Sequence, residues 1–83
     1  MKITSPQTLA VAIREQRKKK RLTQKDTADR VGIKQSTVSG FENSPEKSKL
    51  ETLFKLLSSL GLELQVTERN GSTKSDSRWT REW

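Results

Sequence analysis

With 83 residues and a formal charge of +7, the chain has room for one small domain and a tail, and a domain of that size buries only about 60% of its unfolded surface. Cysteine and histidine are both absent, which removes a disulfide framework, the commonest metal ligands and the commonest general base, so no cofactor and no enzyme activity are expected. No apolar run approaches the roughly 18 residues of a membrane span, and the start MKITSPQ lacks the apolar centre of a secretion signal, so a soluble cytoplasmic protein is the expectation.

The first helix is predicted over about Pro6 to Lys20. Ser5-Pro6 is a cap followed by the residue best tolerated at a helix start, and Leu9 with Ile13 gives a four-residue apolar spacing. Its end carries the run RKKKR, Arg17 to Arg21. Residues 1–33 hold nine basic and three acidic side chains, residues 34–68 four and five, and residues 69–83 four and two. The positive field therefore gathers around this run. Such a run is often just a solvated face; beside a DNA reader it raises affinity by counterion release without specifying sequence.

Leu22 to Glu42, LTQKDTADRVGIKQSTVSGFE, reads as two short helices joined by a glycine turn, the sequence form of a helix-turn-helix. Helix two is predicted over about Gln24 to Arg30 and helix three over about Gln35 to Glu42. Thr23 caps helix two with Asp26 at its third position, Ala28 leaves room where the helices cross, and Gly32 permits the bend. Ile33 and Val38 supply apolar packing. Lys34, Gln35, Ser36, Thr37 and Ser39 remain outward. Gln35 is the first choice for base readout, because a glutamine amide makes paired hydrogen bonds to an adenine edge in the major groove.

Asn43-Ser44-Pro45 halts helix three, because the residue before proline disfavours helical dihedrals. A loop reaches about Lys47. Ser48 and Glu51 then match a capping box ahead of Leu50, Leu53, Phe54, Leu57 and Leu60, an apolar stripe terminated by Gly61. Residues 1–61 thus form a mainly α, four-helix domain. Over residues 62–68 the period changes to two, with Leu62, Leu64 and Val66 alternating with Glu63, Gln65 and Thr67. A lone strand has no ladder of its own, so pairing with its copy across a homodimer is expected; an extended end packed on its own domain is the alternative.

Residues 69–83, RNGSTKSDSRWTREW, contain no aliphatic side chain and are expected to be a disordered tail. Trp79 and Trp83 fit partner-binding anchors, with an inert tail or a cloning remnant as the alternative.

The segment LTQKDTADRVGIKQSTVSGFE resembles the helix-turn-helix of the Xre/Cro/C1 repressor family over about residues 7–61. More narrowly, GIKQSTVSGFEN, the KLETLFKLLSSLGLEL run and a tail ending in EW look like the HipB-type antitoxins of HipA/HipB toxin–antitoxin pairs. The resemblance implies a λ-repressor-like fold acting as a homodimeric repressor on double-stranded DNA at a palindromic operator before its own genes. It also implies a HipA-like kinase toxin as partner. Gln24, Lys34 and Thr37 would then meet phosphates, Lys34, Gln35, Ser36 and Ser39 would face the bases, and Arg17 with Glu42 would form an ion pair serving as scaffold. Three positions depart from the pattern: Thr27 replaces an aliphatic core residue, Gly40 replaces a long polar reader, and Lys34 replaces the serine that commonly caps helix three. A shortened reader shifts specificity toward operator shape. The rivals are a stand-alone phage-type regulator and a protein-interaction module with a silent helix-turn-helix. An enzyme built on the Ser48–Lys49 pair is disfavoured, since adjacent residues on a helix do not face each other.

Overall fold

The computed structural model describes residues 2–69. Four helices follow one another: α1 (Pro6–Lys19), α2 (Gln24–Val31), α3 (Gln35–Asn43) and α4 (Leu50–Ser59), with a 3-10 turn at Pro45–Lys47 between the last two. The local chemistry explains the first boundary directly. Ser5 Oγ accepts the Thr8 N–H at 3.1 Å, and Pro6, which has no N–H to satisfy, takes the first helical position.

α1 and α4 end in the same way. The Leu22 N–H reaches back to the Arg17 carbonyl at 3.0 Å and the Arg21 N–H to Lys18 at 2.9 Å; at α4, Leu62 reaches Leu57 at 2.8 Å and Gly61 reaches Ser58 at 3.2 Å. Each closure needs one residue in the left-handed region. At α4 it is Gly61, φ 68°, as its position in the sequence implies. At α1 it is Arg21, φ 58°, which carries a steric cost of about 1 kcal/mol that glycine would avoid.

Ala10 and Ile13 from α1, Ala28 from α2, Val38 and Phe41 from α3, and Leu53, Leu56, Leu57 and Leu60 around α4 form the core. α2 packs on α3 and α4, while α1 packs on α3 and the 3-10 turn. Thr27 lies fully inside this core. Its hydroxyl donates to the Thr23 carbonyl at 3.0 Å, so the polar atom that replaces an aliphatic one is satisfied within its own helix.

Two expectations for α4 are corrected. Ser48 does not cap it: Ser48 closes the 3-10 turn through its N–H to the Pro45 carbonyl, and the N-cap is Lys49, with no side-chain cap bond. The serine stands one residue too early because Pro45 inserts a turn ahead of the helix. The buried stripe is also rotated. Leu56 replaces Leu50 and Phe54, which are 72% and 55% exposed; the core lies under Leu53, Leu56 and Leu60, and the other two fall on its flank.

The C-terminal end of α4 is held by two cations from the preceding helices. Lys20 Nζ donates to the Leu60 carbonyl at 2.6 Å and Arg30 to the Ser59 carbonyl at 3.1 Å. Positive charge at a helix C-terminus is favourable and fixes α4 against the other elements. Beyond it, Leu62 is half-buried while Leu64 and Val66 are exposed, and no strand is present among the described residues. A single copy offers that segment no ladder partner. Trp79 and Trp83 lie outside the described residues. Among the described residues no helix is long and apolar enough to cross a membrane.

Candidate nucleic-acid interface

The turn between α2 and α3 is built as its residues require. Thr23 Oγ1 accepts the Asp26 N–H at 2.9 Å, and the Thr23 N–H is returned to Asp26 Oδ2 at 3.0 Å, a complete capping box. That backbone bond, with the Thr23 hydroxyl behind it, holds the Asp26 carboxyl below its ordinary pKa. Gly32 turns the chain at φ 69°, and the Ile33 N–H bonds back to the Ala28 carbonyl at 3.1 Å.

α3 starts without a side-chain cap. Lys34 holds the N-cap in extended backbone, leaving the Gln35 and Ser36 N–H groups with no intrahelical acceptor. Val38 and Phe41 are buried, so the opposite side of the helix is outward: Gln35, Ser36, Gly40 and Asn43 are exposed and Ser39 is half-buried. A Cβ at Gly40 would meet nothing within 4 Å, consistent with open solvent there. The structure therefore brings Lys34, Gln35, Ser36 and Ser39 together on one helix end. Thr37 turns away from them into a concavity between α3 and α4, beside Gly40, Lys47, Lys49 and Lys55.

Gln24, the first residue of α2, is placed differently from a free phosphate ligand. Its side-chain nitrogen donates to Glu42 Oε1 at 3.2 Å, and Glu42 is itself gripped by Arg17. Arg17 Nε donates to Glu42 Oε2 at 2.7 Å and Nη2 to Oε1 at 3.0 Å, while Nη1 donates to the Leu22 carbonyl at 2.9 Å. Burial alone would raise the Glu42 pKa. The hydrogen bonds from Arg17 and Gln24, with the charges of Arg17 and Arg14, outweigh it, and the carboxyl titrates below the ordinary glutamate range.

The basic run therefore offers less than its composition implies. Arg17 is buried in an ion pair, so Lys18, Lys19, Lys20 and Arg21 carry its exposed charge, with the Lys20 ammonium tied to the end of α4. Sequence reasoning also missed two features. Asn43 extends the outward face, its amide donating to Ser39 Oγ at 3.2 Å; it lies seven residues after Ser36, hence on the same stripe, but the helix was expected to stop at Glu42. Lys49 starts α4 uncapped, as Lys34 starts α3, and the expectation of a serine cap concealed it.

The helix-turn-helix family model matches residues 13–66. Antitoxin HipB of Escherichia coli strain K12 is 41% identical over 83 residues, covering 99% of this chain and 94% of that protein. Among solved structures, a HipA-HipB-O2-O3 complex matches with a TM-score of 0.82 and a HipB-O4 20mer complex with 0.83, each at 41% identity over 84% of this chain and 99% of the other. The chain belongs to the Xre-type helix-turn-helix family, on the branch it shares with the HipB antitoxins.

Proposed function

We propose that this protein is a sequence-specific DNA-binding repressor that acts as an antitoxin, represses its own operon and binds a HipA-like kinase toxin. One observation carries the DNA reading: the polar side of α3, Gln35, Ser36, Ser39 and Asn43, stands outward beside an uncapped, lysine-flanked helix start. Backbone N–H groups at such a start donate to phosphate oxygens, and the side chains beyond it reach base edges. Gln35, Ser36, Ser39 and Lys34 are assigned to bases; Gln24, Lys34 and Thr37 are assigned to phosphates. The solved HipB complexes with 20mers and with HipA supply the partner classes by similarity.

The functional unit is a homodimer on a palindromic operator, its two α3 helices entering successive major grooves about 34 Å apart. Residues 1–61 form the reading domain and residues 62–68 pair with their copy. Leu64 and Val66, 45% and 101% exposed, and Ile3 beside Leu64 at 42%, support the pairing, because a second copy would cover them. Residues 69–83, with Trp79 and Trp83, form the toxin-directed tail. No catalytic residue is assigned.

Incubating the full chain with random-sequence duplexes and sequencing the retained DNA tests this directly. Enrichment of a palindrome that also lies upstream of the chain's own gene is the expected result. Retention without enrichment would leave a protein-interaction module, and an enriched site with no neighbouring kinase gene would leave a stand-alone regulator.

A further inference from the structure

An ionised carboxylate only accepts hydrogen bonds. Because Glu42 Oε1 faces the Gln24 side chain at 3.2 Å, the amide nitrogen must point toward it, and the amide carbonyl is turned the other way. One of the two Nε2 hydrogens is thereby committed and the second is left over. We propose that Glu42 positions the Gln24 amide so that this second hydrogen is presented to a DNA phosphate, a role that rests on the DNA-binding reading above.

The surroundings support the assignment. Arg17 is poorly placed to make the contact itself, since its side chain is only 11% exposed and is held to Glu42 and to the Leu22 carbonyl. It does neutralise the carboxylate, whose side chain is only 5% exposed, so an approaching phosphate meets a neutral amide backed by a closed ion pair. The anchored amide has lost its torsional freedom before DNA arrives, which removes an ordering cost from binding. Without the carboxylate, the amide is free to turn over and offer its oxygen, which a phosphate repels.

The test uses the full chain and the duplex it enriches from a random-sequence pool, with single phosphates replaced by neutral methylphosphonates. At one symmetric phosphate per half-site the unmodified protein should lose about tenfold in affinity, as expected for a hydrogen bond to a charged group. Gln24→Ala should lose a similar factor on unmodified DNA and nothing further at that phosphate. Its salt dependence should stay unchanged, because an amide displaces no counterion. Glu42→Gln should behave as Gln24→Ala does. Should that variant fail to fold, the double variant Arg17→Met, Glu42→Met removes both charges while keeping their volume, and it should show the same insensitivity. Full wild-type sensitivity at that phosphate in either Glu42 variant overturns the role of Glu42 alone. If no duplex is enriched at all, the DNA reading falls and this role falls with it.

Discussion

Arg17 and Glu42 lie 25 residues apart, yet their side chains close a two-point ion pair at 2.7 Å and 3.0 Å that fastens α1 to the end of α3. Both side chains are nearly buried, at 11% and 5% exposure. Removing one partner strands the other charge in a dry site, so Glu42→Ala should cost about 3 kcal/mol of folding stability. Replacing both residues by methionine should cost far less. Urea denaturation of the two variants decides the matter, and equal losses would refute this account of the pair.

Acid should weaken the fold through the same carboxylate. Glu42 titrates lower in the folded chain than in the unfolded one, where a glutamate keeps its ordinary value of 4.5. Its contribution is therefore fully present above that value and is lost as pH falls through the lower, folded value. Asp26, also lowered, adds a contribution of the same sign. Denaturation midpoints should hold steady down to about pH 5 and drop below about pH 4. A smaller drop is expected in the doubly methionine-substituted variant, and an identical profile there would assign the acid sensitivity elsewhere.

Gly40 sits inside a helix with open space around it. Gly40→Ala should raise stability by about 0.5–1 kcal/mol, because alanine restricts the unfolded chain and suits the helix. Thermal unfolding measures this, and a lower melting temperature would mean that the position is closed off by something not accounted for.

Gln35 is exposed at the first turn of α3. Gln35→Ala should cost about 1–3 kcal/mol on the selected duplex and leave binding to unrelated DNA almost unchanged. Uniform weakening on every duplex would reassign Gln35 to the backbone.

Deleting residues 69–83 should preserve folding and operator affinity while weakening capture of the toxin. The expectation comes from Trp79 and Trp83 in a segment with no aliphatic residue. Isothermal titration of a HipA-like kinase against both forms provides the comparison, and equal affinities would leave the tail without a role in binding.

The helices were legible because their signals are local. Ser5, Thr23, Gly32 and Gly61 each act through backbone groups a few residues away, so a single sequence exposes them. The Ser48 cap failed for the opposite reason: which residue starts α4 depends on how the Pro45 turn packs against α1 and α3. The depth of Leu50 and Phe54 failed similarly, since periodicity locates an apolar stripe but not which edge of it the core covers. In the candidate site, the outward polar residues could be read from the helix period. The bond from Gln24 to Glu42 could not, because it joins two elements whose approach is set by packing.

The outward residues of α3 hold almost nothing in place. Lys34, Gln35 and Ser36 make no side-chain bond among those described, and the Asn43 amide donates to Ser39 within the same helix. The body is instead closed by Arg17, Lys20, Thr27 and Arg30, whose side-chain hydrogen bonds are made within the fold. Scaffold and text are thus written in different residues, and a handful of exchanges along one helix should retarget the protein to a new operator without retuning its architecture.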